Sequence, residues 1–188
     1  MSGVTTVQLR RAVWESPFGR AYLLAGAGGL MRLEFRREEP DWWATWARRW
    51  VGRGAEIVDG PVPGADIIVE QTIAELDAYA TGDVRELVTP VDLRGTPFQQ
   101  DVWIAVRGVP YGQTRSYGQI ADQIGRPKAV RATGAANGAN PLSIYVPCHR
   151  IIGADGSLRD YGGGLEIKAA LLAMERAHAP MAAGQASV

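Results

Sequence analysis

Three apolar or alternating runs, "VQLRRAVW", "RAYLLAG" and "GLMRLEF", fill the start of the chain and are parted only by "ESPFG" and "AGG". Such patterning broken by short Gly- and Pro-bearing turns is the signature of a three-stranded antiparallel meander, so the chain must begin as a sheet. The next segment, "DWWATWARRW", places Trp43, Trp46 and Trp50 at helical spacing. A tryptophan stripe of this kind packs a helix onto a sheet far more often than it binds a ligand, and these residues are assigned to the core. "DGPVPGAD" then breaks the chain, and "IIVEQTIAELDAYATG" resumes with helical periodicity, ending at Gly82.

The character of the chain changes after "LVTPVDLRGTP", where Pro90, Gly95 and Pro97 mark an extended connector. The expected division is an N-terminal α/β domain over 1–88, a linker over 89–96, a mainly helical domain over 97–180 and a frayed tail over 181–188. At 188 residues with 46% hydrophobic and 21% charged, the chain has enough material for one ordinary domain or two small ones. The formal charge of zero hides an asymmetry: residues 1–93 hold 10 basic and 14 acidic side chains, and residues 94–188 hold 10 and 6. Between Gln123 and Ala154 lie Arg126, Lys128, Arg131 and Arg150 and no acid, the pattern of a face that meets a polyanion.

The second half reads as helices: "PFQQDVWIAVRGV", "SYGQIADQIG", "PKAVRATGAANG" and "LEIKAALLAMERAHA". Ser116 can cap the second with Gln119 three residues on, Gly125 can end it, and Pro127 suits the first turn of the third. Two short helices joined by a tight turn form a helix-turn-helix. Ala129, Ala132, Thr133, Gly134, Ala135 and Ala136 leave the third helix nearly bare, while Lys128 and Arg131 share one of its faces. A helix so thin can approach a groove closely.

Cys148 is the only cysteine, and His149 beside it is one of only two histidines. One cysteine excludes an internal disulfide, and a Cys/His set confined to positions past 145 excludes zinc-finger spacing, so no structural metal or cofactor is expected. No apolar run is long enough to span a bilayer, and "MSGVTTVQLRR" lacks the features of a signal peptide; a soluble, cytoplasmic chain without membrane contact is expected. A thiol must lose its proton to act as a nucleophile, and Glu175 in the last helix offers a carboxylate to orient His149. The common fate of a lone cysteine is burial as a small hydrophobe, but "VPCHRII" amid polar and Gly-rich segments is a poor place to bury one.

"NPLSIYVPCHRIIGADGSLRDYGGG", with the preceding "PFQQDVWIAVRGVPYGQTRSYGQIADQIGRPKAVRATGAANGANP", resembles the O6-alkylguanine-DNA alkyltransferases, over essentially all of residues 96–176. The N-terminal half, through "SPFG" and "GLMRLEF", is similar to the family's variable α/β domain. The resemblance implies an RNase H-like first domain and a winged-helix-like second one. It implies that Cys148 accepts the alkyl group once and irreversibly, that His149 is its base through a bound water, and that Glu175 polarises His149. Asn140 would fix the active-site turn, and Tyr117 would donate toward N3 of the base and crowd the phosphate so that the nucleotide rotates outward. Arg131 would fill the vacated stack, with Lys128, Ala129, Ala132, Thr133, Gly134, Ala135 and Ser116 along the DNA. Tyr161, Gly162 and Gly163 would wall the base pocket, with Ile151 in the substrate-binding set. The implied partner is double-stranded DNA carrying O6-alkylguanine, with O4-alkylthymine as a second substrate, bound through the minor groove with little sequence preference by a monomer that can load cooperatively. Arg159-Asp160 departs from the smaller uncharged residue that the pattern carries before Tyr161, and zinc ligands found in some relatives are missing from residues 1–93. Two other classes compatible with parts of this pattern are a damage-binding protein that transfers nothing and a cysteine hydrolase.

Overall fold

The computed structural model describes residues 6–38 and 40–180; the tail expected to fray, 181–188, lies outside the described residues. The meander forms as expected from β1 (Val7–Ser16), β2 (Gly19–Gly26) and β3 (Gly29–Phe35). A fourth strand, β4 (Ala55–Val58), pairs parallel with β1, giving the order β3-β2-β1-β4. The sequence reading did not contain it, because four half-exposed residues carry too little alternation to register.

β3 is buried throughout because the sheet is covered on both faces. Helix α1 (Trp43–Trp50) sets Trp43, Trp46 and Ala47 against Leu9, Tyr22 and Met31, so two of the three tryptophans of the stripe are core, while Trp50 is half-buried at the edge of the cluster. Burying an aromatic ring of this size removes roughly 150–250 Å² from water, on the order of 4–6 kcal/mol before ordering is counted. Helix α2 (Ala65–Ala80) covers the opposite face with Ile68, Val69 and Leu76 against Trp14, Leu23 and Leu33.

The second half comprises α3 (Pro97–Arg107), β5 (Arg115–Ser116), α4 (Tyr117–Gln123), α5 (Val130–Gly138), β6 (Ile151–Ile152) and α6 (Leu165–His178). Thr96 and Ser116 close capping boxes with Gln99 and Gln119, and Gly125 takes φ +71 to end the chain's run through α4. Pro127 opens a 3-10 turn that leads into α5. The parallel pairing of β5 with β6 was not legible either, since strands of two residues have no period; it ties the start of α4 to the segment after Cys148.

The two halves share one core, in which Trp14 and Leu33 cluster with Trp103, Ile120, Leu142 and Leu171. The edge of β3 accounts for this. Leu30 N–H donates to Pro90 O at 2.8 Å and Asp92 N–H to Leu30 O at 2.8 Å; farther along, Leu33 N–H donates to Pro141 O and Ser143 N–H to Leu33 O. The connector at 89–96 is therefore strapped to the sheet, and so is the segment leading to Cys148. No helix among the described residues is long and apolar enough to cross a membrane.

Gly29 is where the strap meets the sheet: its φ is +149, and a Cβ there would lie 2.7 Å from Pro90 O. Gly29→Ala should cost about 2 kcal/mol or more, whereas Gly28→Ala, with open space around it, should stay within about 0.5 kcal/mol. Thermal melting of the two variants checks this, and equal melting temperatures would contradict it.

Candidate active site

Asn140 shapes the turn that delivers the cysteine. Its side-chain amide donates to Val146 O at 2.8 Å, and its carbonyl oxygen accepts from Leu142 N–H at 2.9 Å. Inside this clamp Ile144 is held at φ +71, costly for a β-branched residue. Cys148 then opens a 3-10 turn over Cys148–Arg150. Contrary to the sequence expectation, the thiol is buried, at 7% exposure, on the floor of a cleft of about 580 Å³. The reason is that β3 and α6 close over a segment that looks polar in sequence. Asn140, Pro141, Tyr161, Gly162 and Gly163 line the cleft on one side and Phe35 of β3 on another. Gly163 must be small, because a Cβ there would lie 2.7 Å from the Cβ of Phe35.

Burial pushes the Cys148 thiol up, against a hydrogen bond from Asn140 and the charge of Lys168. At rest the sulfur keeps its proton, so a base is required. His149, fully buried, joins Glu175 Oε1 through Nε2 at 2.7 Å. The hydroxyl of Tyr79 donates to the same oxygen at 2.5 Å and stands 3.4 Å from Nε2. Both neighbours thus present lone pairs to Nε2, which must carry the proton, leaving Nδ1 as the basic atom. Nδ1 has no hydrogen-bond partner among the described residues. Burial lowers the His149 pKa, opposed by Glu175, so the ring is neutral and able to accept.

Glu175 is the hub. Arg150 donates to it through Nε at 2.9 Å and Nη2 at 2.8 Å, and Gly112 N–H donates to Oε2 at 2.9 Å. Burial opposes its charge, but the hydrogen bonds from His149 and Arg150 hold the carboxyl well below the ordinary range. Lys168, also buried, donates to Ile151 O at 2.6 Å and Arg159 O at 2.9 Å, tying the strand after Cys148 to the loop that bears Tyr161.

Lys128 and Arg131 are exposed on the outer side of the turn and α5, with Ala132 and Ala135 exposed beside them and Ala129 half-buried. Gly134 is half-buried facing Tyr117, whose ring would be 3.8 Å from a Cβ there. Tyr117 is half-buried, and burial, then the charge of Cys148, raises its pKa. Three residues differ from their sequence reading. Thr133 is fully buried on the inner side of α5, because helical period turns it toward the core. Ile151 is fully buried in β6, where it is core. Arg150 leaves the basic face altogether: it is buried on Glu175. Ser116 caps α4. Sequence reasoning missed Tyr79, Arg150 and Lys168. Helical period could have marked Tyr79 as inward-facing with Thr72 and Leu76, but not its partner 96 residues away.

Residues 97–177 match the family described as 6-O-methylguanine DNA methyltransferase, DNA binding domain. A methylated-DNA–protein-cysteine methyltransferase of Mycobacterium bovis is 55% identical over 120 residues, 64% of this chain and 71% of that protein. One from Methanosarcina acetivorans is 39% identical over 164 residues, covering 87% and 96%. Among solved structures, the O6-methylguanine methyltransferase of Mycobacterium tuberculosis superposes with a TM-score of 0.75 at 42% identity, covering 92% of this chain and 96% of that one. The same enzyme in complex with DNA gives 0.74. The chain belongs to the methylated-DNA–protein-cysteine methyltransferase family.

A carboxylate held below its unfolded pKa adds stability above about pH 4.3, and that contribution fades as pH falls toward the folded value. Glu175→Gln leaves Arg150 buried without its counter-charge and should cost about 3–5 kcal/mol at pH 7. Denaturant titrations of both proteins should show the gap narrowing below about pH 4. A gap that is constant with pH would contradict the assigned charge state.

Proposed function

We propose that the chain repairs DNA by moving the alkyl group of O6-alkylguanine onto Cys148, once per molecule. The observation that carries this reading is the cleft-floor thiol next to a neutral imidazole whose far nitrogen is held by Glu175. The Sγ proton passes through a bound water to His149 Nδ1, and Glu175 balances the imidazolium. The thiolate attacks the alkyl carbon, an S–C bond forms, the C–O6 bond breaks, and its electron pair leaves with the guanine. The guanine anion, met at N3 by a hydrogen bond from Tyr117, regains a proton from water while the imidazolium of His149 gives its own up to water, so a thioether, a neutral guanine and a neutral imidazole remain. A thioether has no acyl character for water to attack, so the product stays on the protein.

An O6 atom within a stacked duplex is out of reach, and extruding its nucleotide costs a few kcal/mol. On this reading α5 enters the minor groove, Arg131 occupies the vacated stack, and Lys128 with the small side chains at 129, 132, 134 and 135 lies along the backbone. Binding then rests on phosphates, with little sequence preference. We also assign the halves to an RNase H-like domain (1–88) and a winged-helix-like domain (97–180) joined at 89–96, acting as a cytoplasmic monomer. A binding-only relative would have no use for a thiol at the cleft floor, and a hydrolase no use for an exposed arginine on a bare helix.

Incubation with a duplex bearing O6-methylguanine, followed by peptide mass spectrometry, should place one methyl group on Cys148. Cys148→Ala should bind the duplex as the wild type does and transfer nothing; loss of binding as well would mark the cysteine as structural. Arg131→Ala should slow transfer from the duplex by about tenfold or more while leaving reaction with free O6-alkylguanine base within about twofold, since only the duplex needs its stack filled. Equal losses on both substrates would contradict the intercalating role.

A further inference from the structure

Tyr79 belongs to α2 of the N-terminal half and is 1% exposed, yet its hydroxyl meets the relay of the C-terminal half. It donates to Glu175 Oε1, the oxygen that His149 uses, and lies within 3.4 Å of His149 Nε2. We propose that Tyr79 is a positioning residue for alkyl transfer: by sharing Glu175 Oε1 with His149, it weakens the pull of the carboxylate on the imidazole and keeps that ring neutral at rest. The inference rests on the reading of His149 as the base for Cys148.

Tyr79 and His149 compete for one acceptor. A carboxylate oxygen that accepts a short hydrogen bond gives up part of its charge to it, and has less to offer a second donor. Burial and the neighbouring carboxylate keep the Tyr79 hydroxyl protonated, so it acts only as a donor to Glu175. The edge of Tyr111 packs against the Tyr79 ring with centroids 5.9 Å apart, which fixes the direction of the hydroxyl. The other groups acting on this centre are Arg150 on Glu175, Lys168, whose charge acts on His149, and Cys148, Tyr111 and Tyr161. Of these, Arg150 compensates the charge of Glu175, but only Tyr79 also reaches His149 Nε2 as a neutral donor to the shared oxygen.

Tyr79→Phe keeps the ring and removes the donor. His149 should then hold its proton to higher pH, moving the acid limb of the transfer rate upward. Against O6-methylguanine duplex the rate should fall by about tenfold on the acid side of the wild-type limb and by less than about threefold near pH 8.5, since a hydrogen bond to a charged group is worth about a factor of ten or more. Nitrogen-15 spectra of His149 across the same range should report the same shift. Placing 3-fluorotyrosine at position 79 strengthens the donor without disturbing the fold and should move the limb the other way. Profiles and spectra that coincide for all three proteins, or shifts of opposite sign, overturn the role of Tyr79. Failure of the wild type to transfer at any pH would instead overturn the reading of Cys148 and His149.

Discussion

The buried carboxylate of Glu175 is the interaction on which the site depends. It accepts from Tyr79 of α2, His149 and Arg150 of the active-site turn, and the backbone of Gly112 after α3. Three segments distant in sequence converge on two oxygen atoms, and a carboxylate with Arg150 opposite can stay ionised where an isolated one could not. The assembly fixes the directions of the side chains on the turn at Cys148 through hydrogen bonds and the buried Arg150 ion pair.

This hub works because the sheet and the helical half are welded together. β3 gives its edge to the strap at Pro90 on one stretch and to Pro141 and Ser143 on the next, and the second of these pairings begins the turn that Asn140 clamps. Packing from the first half thereby sets the position of the thiol in the second. The resting state follows from burial: a thiol pushed up and an imidazole pushed down are both neutral. A buried, protonated cysteine is protected from stray electrophiles and oxidants that need thiolate.

Much of this was legible in the chain. The meander, the helix that bears the tryptophans and the Ser116 capping box follow from short-range patterns that local physics enforces, and Cys148, His149, Asn140 and Glu175 stood out through composition and family resemblance. The sequence failed where a partner is remote. Arg150 reads as one more cation in an acid-free stretch until Glu175, 25 residues on, is folded against it. Thr133 reads as part of a bare groove-binding face, and only the direction of the helix on its core turns it inward. Burial of Cys148 was misjudged because polar neighbours in sequence say little about which elements close over them. β4, β5 and β6 are too short for periodicity to speak.

A protein thiol that takes an alkyl group as a thioether can do so once. Counting the methyl groups transferred per protein molecule, with DNA carrying O6-methylguanine added in increasing excess, is the decisive measurement. A burst that saturates at one equivalent is expected, with no second round however long the incubation. Continued release of demethylated DNA well beyond one equivalent would contradict it.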